Sequence, residues 1–405
     1  MYDLIIKNGT VIDPSKGICQ KGNVYIQDDV FVEPDHGNDE PQGATVLDAT
    51  NCFVSPGFID PHIHAYDGKL SVRGVNADLA CLPSGVTTII DPGSTGFYSF
   101  QHFYNTSIFH SKTTIKALLN VSPAGILSPL YEETLDINTF SEKNMLKLFQ
   151  KYPDTLCGLK IRMHGHCTRG LGMEPLKKTV EIANHIQEAG YPCNITVHFG
   201  ELEEGFSIDD ILVILRRGDV LVHYLSPSRL DVVHRNGVAD YQVKISKTQV
   251  FDENGKIRKA VWEARKRGVI FDSAFAPIWY SLKNIDRTVA EDFYPHQIGT
   301  DTVRQNVYKE PVKSLINCMS VFLNKGMPLE DVIKAVTYTP AKTYGFLEDA
   351  GTLQANHKAD VTIFKLVDQE MVHTDQFGDS FTMDRLIMPM ATIKEGDIVF
   401  RQIVF

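Results

Sequence analysis

The middle of the chain alternates short apolar runs with amphipathic stretches. Eight runs closed by turn residues are Phe53–His64, Val86–Asp91, Ile115–Val121, Leu156–Met163, Asn194–Phe199, Val220–Leu225, Val269–Asp272 and Gln297–Asp301. Near-continuous aliphatic runs of this length fit strands buried on both faces. Helix-like patterns separate several of them, at Glu174–Ala189, Ser207–Arg217 and Lys259–Lys266. A strand, its crossover helix and the next strand take about 30 residues or more, and most spacings here fit that length. The pattern predicts an α/β fold, a (β/α)8 TIM barrel spanning residues 54–350. In that architecture the chemistry sits at the C-terminal ends of the strands.

The two ends of the chain read differently. Leu4-Ile5-Ile6, Asn8–Asp13 and Asn23–Ile26 are short strands punctuated by Asn-Gly and Asp-Pro turns. Ala359–Lys365 and Thr392–Phe400 have the same character. Neither end has enough strands to bury a core alone. Residues 1–53 and 351–405 are therefore expected to combine into one small β-sandwich. The polar stretch Glu33–Gly43 reads as a surface loop, and a second polar stretch, Arg235–Lys259, as a lid or an oligomer contact.

Composition narrows the function classes. With 405 residues, 43% of them hydrophobic, the chain is long enough for a barrel and a smaller module. A formal net charge of −10 argues against a nucleic-acid or anionic-membrane partner. No apolar run reaches the roughly 18 residues of a membrane span. The N-terminus begins strand-like, without a secretory pattern. Seven scattered cysteines without a CxxC pair fit a reduced, cytoplasmic protein. The partners expected are a small-molecule substrate and further copies of the same chain. P-loop, HExxH and dinucleotide-binding fingerprints are absent.

The polar residues interrupting the apolar runs carry the candidate chemistry. His62 and His64 close the first run, in Phe58-Ile59-Asp60-Pro61-His62-Ile63-His64. Alternate residues of an extended strand face the same way, so both imidazoles can grip one ion, with Asp60 on the same face. Lys160 lies inside the fourth run, where an ammonium is unfavourable unless paired or modified. His198, His223 and Asp301 fall at the ends of the fifth, sixth and eighth runs. Four histidines, a lysine and an aspartate at five strand ends point to a metal site rather than scattered core polars. Arg162, two residues beyond Lys160, is a candidate bidentate clamp for a substrate carboxylate; a structural ion pair is the alternative. His164 and His166 imitate the paired spacing in the loop beyond.

The chain resembles the amidohydrolase superfamily over nearly its whole length. The resemblance rests on the opening Asp3–Thr10, the Pro56–His64 signature and the closing Gly351-Thr352-Leu353 followed by Lys358–Phe364. Within that superfamily, Gly85–Gly96 and Lys325–Thr337 are similar to the dihydroorotase-like branch, and to bacterial amidohydrolases acting on N- or O-acylated small acids. The resemblance implies two divalent ions, usually zinc, bridged by Lys160 carboxylated on its N6. On that basis His62, His64 and Asp301 would hold the more buried ion, and His198 and His223 the more exposed one. Asp301 would act as general base and then acid, and Asp60 would orient a ligand. The implied activity is hydrolysis of an amide, or an ester, of a small acylated amino acid, hydroxy acid or cyclic amide. Nearer relatives carry a histidine after the strand-seven aspartate, where this chain has Ser273-Ala274. After Asp301 a histidine or tyrosine is more familiar, where this chain has Thr302-Val303-Arg304, and Ser273, Arg304 and Tyr308 are the candidates for the substrate contact. Two rival readings remain. One is an amino-heterocycle deaminase with Glu201, of His198-Phe199-Gly200-Glu201, as proton shuttle on a single ion. The other is a non-catalytic scaffold.

Overall fold

The computed structural model describes residues 2–34, 42–68, 70–126, 133–227, 230–235, 238–243 and 250–404, with backbone alone for 230–243. Two large sheets organise these residues. The first is parallel, in the spatial order Ile270–Asp272, Val220–Val222, Asn194–Phe199, Leu156–Met163, Thr114–Asn120, Val86–Asp91 and Phe58–Asp60. Seven of the eight expected runs thus supply a strand. The strands are buried on both faces, Val86–Asp91 at every position, which is why they read as unbroken apolar runs.

The expected eighth strand forms no ladder. Gln297–Asp301 makes single parallel bridges, Asp272 with Gln297 and, just beyond it, Ile63 with Thr302. Backbone bonds tie it on both sides: Ser273 N donates to Gln297 O (3.1 Å) and Asp301 N to His62 O (2.7 Å). Two carboxylates take amides that a ladder would use. Gly299 N donates to Asp272 Oδ1 at 3.0 Å, and Thr300 N to Asp60 Oδ1 at 3.1 Å.

The helices largely follow the expected patterns. Glu174–Glu188 buries Leu176, Thr179, Ile182, Ala183 and Ile186, the i, i+3, i+4 spacing of one face. Lys259–Arg267 ends on Gly268 in the left-handed region. The helix read over Ser207–Arg217 is shorter, Ile208–Ile214, and starts from a capping box between Ser207 and Asp210. It stops because Arg216 turns away, its amide bonding buried Asp219 at 2.8 Å and its guanidinium at 2.9 Å.

The second sheet joins both chain ends, as expected, and its strands are linked in one mostly antiparallel hydrogen-bonded sheet. Its order is Asp397–Arg401, Ser380–Lys394, Val361–Thr374, Phe53–Pro56, Tyr2–Asp13, Ile18–Gln27 and Val30–Val32, with Gly43–Asp48 parallel to Tyr2–Asp13. Leu4, Ile6, Val24, Ile26, Val361, Ile363, Ala391 and Ile393 pack as one core on alternate positions of these strands. The run Phe53–His64 is divided between the two sheets. Phe53–Pro56 pairs with Tyr2–Asp13 and Val361–Thr374, while Phe58–Asp60 pairs with Val86–Asp91. Gly57 makes the crossing, where a Cβ would lie 2.2 Å from Thr87 Oγ1. The polar stretch from Arg235 begins as an antiparallel hairpin, Leu230–Arg235 with Val238–Val243. Residues 236–237 and 244–249 and the hairpin side chains, on which the expected lid or oligomer contact largely falls, lie outside the described residues, while Val250, Phe251 and Ile257 farther along are buried in the core. Among the described residues no helix is long and apolar enough to cross a membrane, and all seven cysteines are free.

Candidate metal centre

The C-terminal ends of the parallel strands bring the expected residues into one buried cluster. His62 and His64 follow Phe58–Asp60 directly, and Lys160 and His198 lie within their strands. His223 and Asp301 take left-handed backbone angles, φ +63° and +49°, sparsely populated for non-glycine residues and typical of functional sites. The imidazoles run in a chain, with ring centroids 6.2 Å apart for His64–His62, 5.4 Å for His62–His223 and 4.6 Å for His223–His198.

Asp301 sits against three of these rings. Its Oδ1 is 3.5 Å from His64 Nε2 and 3.7 Å from His62 Nε2, and its Oδ2 is 3.7 Å from His223 Nε2. These separations are too long for hydrogen bonds. They are close to the roughly 3.3 Å between two ligands bound tetrahedrally at about 2.0 Å to one zinc ion. Ligand atoms of His62, His64 and Asp301 all lie within 4.8 Å of one another, a group that could hold a metal ion. Beside it, His198 Nε2, His223 Nε2 and Lys160 Nζ are buried without a hydrogen-bond partner. Buried polar atoms are rarely left so. The residues present therefore fit divalent cations.

Electrostatics agree with that fit. Burial holds His62, His198 and His223 well below the usual imidazole range, so their rings are neutral lone-pair donors. Burial lowers the Lys160 amine to about 8; a neutral amine is the form that adds CO2. Gly93, at φ +84°, lets the lysine stem pass; a Cβ there would lie 2.6 Å from Lys160 Cβ.

Hydrogen bonds fix which nitrogen each ring presents. Ser94 Oγ donates to Asp91 Oδ2 at 2.7 Å and contacts His64 Nδ1 at 2.7 Å. A carboxylate only accepts, so the hydroxyl donates to Asp91 and accepts from His64 Nδ1–H. His223 Nδ1 donates to Ala274 O at 3.0 Å. Both rings are left with Nε2 bare and aimed at Asp301. His62 Nδ1 faces Asp272 Oδ2 at 3.6 Å. Asp272, pushed up to about 7 by burial, also braces Ala274 N and Gly299 N. Asp60 bonds the amides of His62 and Thr300 and so ties the His62 segment to the Asp301 segment; burial pushes it to about 7 as well. Ser94→Ala is expected to weaken metal binding 10- to 100-fold, read by titrating metal-free protein against a chromophoric chelator. Unchanged affinity would refute the role given to this hydrogen bond.

The expected substrate contacts divide. Arg162 is close: its backbone registers with His198, and its Nη1 pairs with buried Glu133 at 3.0 Å. Ser273 is fully buried, and its hydroxyl meets no polar partner; Asp272, one residue earlier, reaches His62 instead. Arg304 pairs with Asp67 at 2.7 Å and bonds Gly74 O at 3.2 Å, bracing a loop. The Tyr308 hydroxyl donates to Leu79 O. His164 and His166 bond to each other at 2.8 Å in the loop after Leu156–Met163, and Glu201 is exposed.

The sequence reading missed four residues here. Asp91 and Ser94 were legible as an Asp-x-x-Ser turn at a strand end, and Asp272 as a strand-terminal carboxylate. Arg73 gave no signal. Its backbone oxygen accepts from Arg304 N at 2.7 Å, and the next turn is pinned by Val75 N to His64 O at 2.9 Å. Its buried Nε has no partner, and the guanidinium lies within electrostatic reach of Arg162, Asp301 and Glu133.

The chain is similar to known proteins in sequence and in fold. The chain is 28% identical over 397 residues to a deacetylase of Enterococcus faecalis, covering 98% of this chain and 99% of that one. It is 24% identical to a dihydroorotase of Streptococcus pneumoniae over 93% of this chain and 92% of the relative. Among solved structures, an adenine deaminase superposes with a TM-score of 0.84 at 26% identity, over 99% of this chain and 100% of that one. A dihydroorotase does so with a TM-score of 0.80 at 24% identity, over 98% and 99%. Residues 158–399, more than half of the chain, match the model of the amidohydrolase family, and to that family the chain belongs.

Proposed function

We propose that this chain is a binuclear-metal-dependent hydrolase that cleaves the amide, or ester, bond of a small acylated acid or cyclic amide. The observation that carries the reading is the set of orphaned buried atoms, His198 Nε2, His223 Nε2 and Lys160 Nζ, beside the His62–His64–Asp301 group. In this reading the parallel sheet is a closed (β/α)8 barrel with Gln297–Asp301 as its eighth stave, supported by the hydrogen bonds from that segment to both edges.

His62, His64 and Asp301 would hold one ion, His198 and His223 the other, and Lys160, carboxylated on N6, would bridge them. Imidazole and oxygen ligands in a buried site suit zinc. Bound there, such ions lower the pKa of a water and polarise a carbonyl. Asp301 accepts the proton of the attacking water on a carboxylate oxygen and passes it to the leaving nitrogen or oxygen. Asp91, Ser94, Asp60 and Asp272 hold ligands in place. Arg162 and Arg73 bind the substrate's carboxylate; Arg304 and Ser273 carry no substrate contact in this reading. The deacetylase relatives support an acylated substrate.

A second reading, deamination of an amino-heterocycle, is favoured by the likeness to an adenine deaminase. Lys160 weighs against it, because a single-ion deaminase has no need of a buried lysine, and exposed Glu201 lies outside the buried cluster. One experiment separates the two. Metal-replete protein is offered N-acyl amino acids, acyl hydroxy acids, cyclic ureides and adenine side by side, with metal content measured. Two ions per chain and turnover of an acylated acid or ureide are expected. One ion per chain with ammonia release would overturn the hydrolase reading in favour of the deaminase.

A further inference from the structure

We propose that Trp279 is a specificity-determining residue: its indole forms an apolar wall over the His198–His223 half of the site and selects substrates with a flat apolar side chain on the acid portion. The inference rests on the hydrolytic reading above and extends it to the substrate's shape.

The position is built, not incidental. After strand Ile270–Asp272 the chain turns at Ala274, φ +37°, and Phe275 N bonds Gly299 O at 2.9 Å. Trp279 N then donates to Ala276 O at 2.8 Å, and Ser226 Oγ donates to Trp279 O at 3.1 Å. Asn284 Nδ2 bonds Leu225 O and Ser226 O at 3.1 and 3.0 Å, and Ser281 N bonds Leu225 O at 3.3 Å. The tryptophan is thus stitched to the segment that follows His223.

The ring lies on two proposed ligands. Its centroid is 4.8 Å from that of His198, nearly perpendicular at 80°, and 5.2 Å from that of His223, inclined at 30°. It is half-buried, as are Pro277 and Ile278 before it, so an apolar surface borders an otherwise polar site. Aromatic rings offer large rigid contact area with few rotatable bonds. Arg162, in register with His198, lies on the same side. A carboxylate on Arg162 and a side chain on Trp279 would therefore belong to one acid portion.

The competing role is a packing one, in which the indole only steadies the imidazoles. That role predicts lower metal affinity and equal loss for every substrate. The test compares N-acetylphenylalanine with N-acetylalanine, both enantiomers, on metal-loaded wild type, Trp279→Phe and Trp279→Ala, with metal content measured for each. The wild type is expected to prefer the aromatic substrate in kcat/KM by about 10-fold or more. Phe should keep most of that ratio, and Ala should bring it near one at unchanged metal content. So that the outcome does not depend on turnover, binding is measured as well, by calorimetry with phenylacetate and acetate on the same three proteins. A preference for phenylacetate that Ala abolishes supports the wall even if the hydrolytic reading fails. No preference in the wild type, a preference unchanged in Ala, or equal losses for both probes with falling metal content would overturn it.

Discussion

Asp301→Asn is expected to lower kcat by roughly 10³-fold, within the range of a lost general acid–base group. Asparagine keeps the shape of the side chain and changes its chemistry in two ways. It cannot take up a proton at neutral pH. It also replaces one acceptor oxygen by an NH2 donor, set among the Nε2 atoms of His62, His64 and His223, which now lie 3.5–3.7 Å from the carboxylate. Those lone pairs could then bond the amide and compete with a metal ion. Steady-state kinetics with metal analysis checks both effects: kcat should collapse and the metal content of the His62–His64 pair should fall. Turnover like the wild type would remove Asp301 from the mechanism.

Lys160→Met is expected to abolish turnover and to reduce bound metal from two ions per chain to one or none. Methionine nearly conserves volume and flexibility, so the packing against Gly93 survives, but no carbamate can form. Stability should move in opposite directions in the two states. Without metal, wild type buries an amine that has no partner, an unfavourable arrangement. The variant removes it and should melt no lower than metal-free wild type. With metal, wild type gains the linkage free energy of both ions, and the variant forfeits much of it. Thermal unfolding with and without chelator gives both comparisons. An active variant, or one holding two ions, would end the bridging assignment.

The two variants probe the part of the site that the sequence exposed most clearly. His62, His64, Lys160, His198, His223 and Asp301 were found because each breaks or ends an apolar run, and the C-terminal ends of parallel strands must converge. Their number and position follow from local periodicity, which sequence reports directly. The run Phe53–His64 was read as one element because apolar character does not reveal which sheet a strand joins. Only the packing of Gly57 against Thr87 does. Gln297–Asp301 was read as a strand for the same reason, and became an irregular segment because Asp60 and Asp272 capture its amides.

Substrate contacts were the least legible. Arg304 was named for its closeness in sequence to Asp301, yet it braces a loop against Asp67. Arg73 and Trp279 reach the site from loops whose paths no pattern encodes, because loop geometry is set by hydrogen bonds between segments far apart in the chain. The sequence by itself determined the residue types, their order along the strands and the strand character of the two chain ends, since periodicity and composition act locally. Tertiary structure decided which ring nitrogen faces Asp301, which arginine borders the site and what lies over His198 and His223, because those depend on side chains from separate elements meeting in space.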